Sequence, residues 1–321
     1  MENTNPDLIL NACSLVVDSF YERNEYILAF SGGEDSSVLL HAMVQLMQDK
    51  KIKLRTIHIN HNLQENAHET SAHCSQISQD YGIEHASYNV EIDASSNVEE
   101  KCRTQRYNTL QKYSHRNELI LIGHHLNDQI ETFFLRMLRG SALKGLSSMN
   151  TSTTINDRTI IRPLLSITKS EIQAYRKKNK ITYIEDASNA DTRFDRNFIR
   201  CNIIPELKKR WTSLEKIMSN NLSVLELQSS AIDKFIDSFY EVCISADDTL
   251  LYIDEVKHLE FDVQVLLIHQ WVYRASSTIL NLRHIHEILK IMNTNNDSNP
   301  LFVFNNAKIT KNGNKLSIDK H

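Results

Sequence analysis

Ser31-Gly32-Gly33-Glu34-Asp35-Ser36-Ser37 lies between two apolar runs of different period. Tyr26-Ile27-Leu28-Ala29-Phe30 precedes it and has the length of a buried strand. Val38-Leu39-Leu40-His41-Ala42-Met43 follows, continuing to Leu46-Met47 with the spacing of a buried helix face. The predicted order is strand, tight glycine turn, helix. Two adjacent glycines let the backbone turn sharply and approach a ligand that a Cβ would hold off. The free N–H groups and dipole of a helix N-terminus favour an anion in such a turn. Ser31, Ser36 and Ser37 add hydroxyl donors. Asp35 repels phosphates unless a cation lies between them, a role that suits Mg²⁺. The stretch therefore predicts a pyrophosphate site with Asp35 as its metal ligand. Neither Gly-x-x-x-x-Gly-Lys-Ser/Thr nor Gly-x-Gly-x-x-Gly occurs. Gly140 and Gly145 have the spacing of the first, but Leu146 follows where Lys is required.

Around this turn the chain alternates strands and helices. An amphipathic helix is predicted over 7–22. Further strands are predicted at Lys53–Asn60, His85–Val90, Leu119–Gly123 and Arg158–Pro163, with helices over 65–80, 99–113 and about 127–139. Leu119-Ile120-Leu121-Ile122 is apolar throughout, as in a parallel strand covered on both faces. The predicted fold is an α/β, doubly wound, mainly parallel sheet. Ligands of such sheets bind at the carboxyl ends of the strands. The glycine turn, His58–Asn62 and Gly123–Asp128 all fall there. His58 and His61, three apart on a strand, point to opposite faces and read as a strand-end loop rather than a metal pair.

From Lys169 the pattern turns mostly helical, with predicted helices at 169–179, 197–204, 213–243, 262–275 and 281–292, and a polar loop at 186–191. A boundary after Lys208-Lys209-Arg210 divides the chain into domains 1–212 and 213–321. Leu301–Phe304 and Lys308–Ile318 read as a terminal hairpin.

Asp128 and Glu131 are three apart on a predicted helix, hence on one face. They either hold a cation or an amine at the cleft, or form an exposed acidic first turn that complements the helix dipole. Charge is asymmetric. Residues 101–216 hold 22 Lys and Arg against 11 Asp and Glu, and the remainder 14 against 29; +11 and −15 give the net −4. A basic middle in an acidic frame points to a polyanion, or to solvated helix faces. The five cysteines, Cys13, Cys74, Cys102, Cys201 and Cys243, contain no Cys-x-x-Cys, as in a reduced, cytoplasmic protein. Glu2, Asp7 and two Asn among the first ten residues do not form a secretory leader, and no apolar run reaches membrane length.

The Ser-Gly-Gly-x-Asp-Ser turn after a strand resembles the pyrophosphate loop of the ATP pyrophosphatase superfamily. Further stretches narrow the resemblance. These are Arg103…Arg106-Tyr107, Gly123-His124-His125…Asp128-Gln129…Glu131-Thr132…Leu135-Arg136…Leu138-Arg139-Gly140, Arg162-Pro163-Leu164-Leu165, Glu185-Asp186-Ala187-Ser188-Asn189 and Arg196-Asn197…Ile199-Arg200…Ile204-Pro205. In that order, over about residues 26–207, they resemble the tRNA(Ile)-lysidine synthetase family.

The resemblance implies ATP and Mg²⁺ as cofactors, tRNA(Ile) with the CAU anticodon and free L-lysine as partners, no membrane, and a homodimer as one assembly open to the chain. ATP adenylates the carbon-2 oxygen of the wobble cytidine, and the lysine side-chain amine then displaces AMP. By the same resemblance Ser31, Gly32, Gly33, Glu34, Asp35, Ser36 and Ser37 bind ATP. Asp128 and Glu131 grip the lysine amine, and Arg106 and Arg196 stabilise phosphate charge or position the cytidine. Arg103, Arg139, Arg162 and Arg200 make tRNA or structural contacts.

Departures from the family pattern are Asn127 for Asp, Asn62-Leu63-Gln64 for Gly-Leu-Arg, and Cys201 for His. A tRNA sulfur transferase is the nearest alternative, and the missing Cys-x-x-Cys counts against it. A small-molecule amide synthetase and an inactive RNA-binding module are further alternatives. The basic middle counts against the first, and intact Asp35, Asp128 and Glu131 against the second.

Overall fold

The computed structural model describes residues 7–61, 67–92, 98–155, 157–185, 191–276, 278, 280–295, 300–304 and 307–320. The chain falls into two compact units: 1–132 with 149–219, and 133–148 with 220–321.

In the first unit β1 (Glu25–Ala29), β2 (Lys53–Asn60), β3 (Glu84–Asn89), β4 (Leu119–Leu121), β5 (Ser152–Ile155) and β6 (Arg158–Ile161) form one sheet in the order β3-β2-β1-β4-β6-β5. All neighbours are parallel except β5–β6. Alternating side chains feed two cores. Tyr26, Leu28, Leu119 and Leu121 pack with α1 (Asp7–Ser19), α2 (Glu34–Leu46) and α7 (Lys169–Asn179). Ile27, Ile57, Ile120 and Ile160 pack with Leu110 of α4 (Val98–Tyr113) on the opposite face. Burial on both faces explains the unbroken apolar runs. From β1 the chain adds β2 and β3 on one side, then returns to add β4 on the other. The switch point, where such sheets bind ligands, is therefore between the carboxyl ends of β1 and β4.

β5 was not anticipated. Ser152-Thr153-Thr154-Ile155 carries almost no apolar signal, because it is an antiparallel edge joined to β6 by a turn in which Asp157 has φ 61°. The other helices of this unit include α3 (Ala67–Asp80) and the start of α5 (Leu126–Leu138). The helix expected at 197–204 is longer. It comprises α8 (Asp195–Phe198), a π-helical stretch at Ile199–Ile203 and α9 (Ile204–Arg210).

The second unit holds α6 (Leu143–Leu146), most of α10 (Leu214–Cys243), β7 (Leu250–Tyr252), α11 (Ile253–Lys257), α12 (Phe261–Ser276), α13 (Leu282–Met292), β8 (Leu301–Phe304), β9 (Ala307–Asn312) and β10 (Lys315–Lys320). Trp271, Leu267, Ile288, Ile309 and Leu316 centre its core. The expected terminal hairpin is a four-stranded antiparallel sheet, β7-β10-β9-β8. Gly313, at φ 58°, splits the run 308–318 into two strands, and the three residues of β7 were too few to read. Among the described residues no helix is long and apolar enough to cross a membrane.

Candidate active site

Gly32 has φ 79°, and a Cβ there would meet Cys74 Sγ at 3.0 Å. A Cβ on Gly123 would lie 3.2 Å from the Asp35 carbonyl carbon and the Ser36 nitrogen. The end of β4 thus presses on the first turn of α2, which joins the two stretches singled out in the sequence. Ser36 Oγ donates to Gly33 O at 3.0 Å and lies 3.0 Å from Ser31 Oγ, while Ser37 Oγ reaches Gly32 O at 3.5 Å. The Ser36 and Ser37 hydroxyls are buried and shape the turn; Ser31 stays exposed. Gly33 caps α2 without a side-chain acceptor, so its first-turn N–H groups face the crevice as anion donors.

The two loop carboxylates are countered by cations. Asp35 Oδ1 is 2.5 Å from Lys169 Nζ. Glu34 accepts from Arg176 Nε at 2.5 Å and lies 3.1 Å from Lys169 Nζ. His125 Nε2 stands 3.6 Å from both Asp35 Oδ2 and Asp128 Oδ2. Its Nδ1 accepts the Asn127 N–H at 3.1 Å, which places its proton on Nε2, toward the carboxylates. Burial opposes ionisation of Asp35, but His125 and Lys169 outweigh it and hold the carboxyl below its ordinary range.

Asp128 and Glu131 are buried, Glu131 to 1% exposure, which removes the reading of an exposed acidic turn. Arg196 bridges them, Nη2 to Asp128 Oδ1 and Nε to Glu131 Oε2, both at 2.8 Å. Arg200 forks onto Glu131 at 2.6 and 2.8 Å. Asp128 also accepts the His125 N–H at 2.9 Å. Burial alone would raise its pKa; His125 and Arg196 reverse this and hold the carboxylate far below its usual range. The pair is therefore built to hold cations, and Asp128 is a poor proton acceptor in this state.

Arg162, only 3% exposed, donates from Nη1 to Asn150 O and Thr153 Oγ1 and from Nε to His124 Nδ1 at 3.3 Å. Its contacts are internal and position His124. Burial, with Arg162, Arg196 and Arg106 near, lowers the His124 pKa to about 3 although Asp128 opposes the shift. Burial and Arg106 similarly lower His61 to about 4. Arg106 has no carboxylate partner among the described residues, and its pKa is lowered by burial and by the like charges of Arg103 and Arg196. Arg106 and Arg196 thus share a cationic pocket with two neutral histidines. Arg103 is exposed and lies over the Tyr107 ring, and Arg139 is exposed in the other unit. Asn62-Leu63-Gln64 and Asp186-Ala187-Ser188-Asn189 lie outside the described residues. Cys201 is exposed.

Among the described residues no three His, Cys, Asp or Glu side chains converge as a metal site. Mg²⁺ needs only one or two carboxylates when phosphates supply further ligands. Asp35 fits that mode at a cradle of N–H groups.

Sequence reasoning missed Lys169 and the placing of His125. For Lys169 a signal existed. Thr168-x-x-Glu171 is a capping box, realised here by mutual side chain-to-backbone bonds, and it puts Lys169 at the first position of α7. A cation there opposes the helix dipole, which marks it as held for another reason.

A family model described as a PP-loop domain matches residues 7–207. The tRNA(Ile)-lysidine synthase of Buchnera aphidicola subsp. Acyrthosiphon pisum is 35% identical over 295 residues, 91% of this chain and 67% of that protein. The tRNA(Ile)-lysidine synthase of Vibrio parahaemolyticus is 32% identical over 307 residues, covering 94% and 70%. The chain thus spans about two thirds of the length of these relatives. The solved structure of a U34-tRNA thiolase from Methanococcus maripaludis, with its [4Fe-4S] cluster, aligns at TM-score 0.54 and 18% identity. It covers 68% of this chain and 79% of that one, a likeness of fold.

Proposed function

The chain belongs to the tRNA(Ile)-lysidine synthase family of PP-loop proteins, and we propose that its two site halves divide the formation of lysidine between them. The α2 half takes ATP, and the α5 half takes lysine. The carrying observation is the buried Asp128–Glu131 pair, bridged by Arg196 and Arg200, directly beside the glycine turn at the switch point. The first step adenylates the carbon-2 oxygen of the wobble cytidine in tRNA(Ile) and releases pyrophosphate. In the second the amine of free lysine displaces AMP.

Each residue has a role that its surroundings support. The first-turn N–H groups of α2 hold phosphate, with Ser36 and Ser37 fixing the turn. Asp35 is the residue that would hold Mg²⁺ on the phosphates, where the ion would screen charge on the leaving pyrophosphate. Arg106, half-buried and without a carboxylate partner among the described residues, is the cation offered to the phosphate that develops charge. Asp128 and Glu131 bind the lysine ammonium in the place that Arg196 and Arg200 fill here. Lysine binding then frees Arg196 for the adenylate. Arg103 and Arg139 are candidate tRNA contacts, while Arg200 and Arg162 are tied to internal partners. A tRNA sulfur transfer reading is less supported: the curated relatives are lysidine synthases, and the cysteines form no pair.

The test is incubation with ATP, labelled lysine and total tRNA, followed by nucleoside analysis. Label in lysidine, with AMP and pyrophosphate released, is the expected result. Label absent from every nucleoside overturns the reading.

A further inference from the structure

We propose that Lys169 is a phosphate-binding residue of the glycine turn, lying between the loop carboxylates and the β and γ phosphates of ATP. This rests on the reading of the turn as the ATP site. Three observations carry it. First, Lys169 Nζ contacts Asp35 Oδ1 at 2.5 Å and Glu34 Oε2 at 3.1 Å, both carboxylates standing in the first turn of α2. An ammonium has three donors, so these two contacts leave one for an arriving oxygen. Second, Lys169 is not needed to neutralise Glu34, which Arg176 already engages at 2.5 Å. Third, its position is costly for a merely structural cation. It is the first residue of α7, where the dipole disfavours positive charge, and the cap is completed by Thr168 and Glu171 without it. The backbone N–H of Lys169 is itself held, donating to Asn127 Oδ1 at 3.0 Å.

A phosphate at the uncapped end of α2 meets two carboxylates of its own sign. Lys169 is the cation in place to separate them, and its side chain, about one third exposed, remains open to an incoming ligand. In the adenylation step the bond from the cytidine oxygen to the α phosphorus forms. The bridging bond between the α phosphorus and pyrophosphate breaks, and its electron pair leaves with pyrophosphate. Lys169 transfers no proton; it stays with the leaving group, whose charge rises. AMP, lacking β and γ phosphates, makes no use of it.

The experiment measures binding of α,β-methylene-ATP and of AMP, each with Mg²⁺, to the full chain and to the variants Lys169→Met and Lys169→Arg. Lys169→Met is expected to weaken the triphosphate roughly tenfold or more, the loss of one charge-assisted contact, and to leave AMP unchanged. Lys169→Arg, which keeps the charge, should restore most of the difference. Equal effects on both nucleotides, or none on either, overturn the role of Lys169. If Lys169→Met fails to fold, Lys169→Gln and the arginine variant are compared by the same ratio of affinities. A wild-type chain that binds neither nucleotide instead overturns the ATP reading, and Lys169's role with it.

Discussion

Glu131→Gln probes the stability and the chemistry of the site at once. The carboxylate accepts from Arg196 Nε at 2.8 Å and from Arg200 at 2.6 and 2.8 Å. The amide keeps one acceptor oxygen, but turns an NH₂ toward a guanidinium and leaves two arginines sharing Asp128. Removing one partner of a buried pair costs about 3–5 kcal/mol, because the other charge stays uncompensated. Arg200 is one third exposed, so water screens part of the loss and the lower end, about 3 kcal/mol, applies. For a unit of this size that lowers Tm by roughly 6–12 °C. At a temperature where the variant is folded, adenylated tRNA trapped with labelled ATP and no lysine should form normally. The lysine concentration needed for the second step should rise. A Tm within about 1 °C of wild type would refute the ion-pair reasoning. Loss of adenylation with lysine binding retained would move Glu131 to the cytidine or the metal.

Asp35→Ala should abolish pyrophosphate release yet cost less than about 1 kcal/mol of stability, since its Lys169 partner is partly exposed; normal release by the folded variant removes Asp35 from the mechanism. Binding of tRNA should weaken steeply with salt, log K against log salt sloping by roughly −0.9 per phosphate contact in duplex regions; a flat response points to a small-molecule substrate. His124 stays neutral in the folded chain down to about pH 3 but gains a proton at its ordinary value near 6.5 when unfolded. Wild-type stability should therefore fall, relative to His124→Asn, by about 2 kcal/mol between pH 7 and pH 5, and show no difference in slope above pH 7. Urea unfolding across that range reads it, and a difference that grows on the alkaline side contradicts the burial of His124.

β1 and β4 were legible because burial on both faces wrote them as apolar runs, and the strand order placed Gly33, Asp35 and Asp128 at one crevice. What was not legible depended on partners far away in sequence. Nothing local tells that Asp35 meets Lys169, 134 residues on, or that Glu131 meets Arg196 and Arg200. Asn127 read as a departure from the family pattern. In the structure its Oδ1 accepts the Lys169 N–H at 3.0 Å, and its Nδ2 donates to Glu215 Oε1 at 2.8 Å. A carboxylate could do the first but would face Glu215 with like charge. The amide thus suits the neighbours this chain has.

The basic middle was also only half legible, because a net count treats every cation alike. Arg162, Arg196 and Arg158 spend their donors on internal acceptors, and Lys169 and Arg176 sit against the loop carboxylates. Such groups are already neutralised or buried and release few counterions when a polyanion arrives. Arg103, Lys112, Arg139, Lys177, Lys178, Lys180, Arg210 and Lys216 are exposed and placed to meet phosphates. The formal +11 of residues 101–216 therefore overstates the salt slope. A slope set by the exposed group, and reduced by about one contact for each of its members replaced, distinguishes cations that bind tRNA from those that build the site.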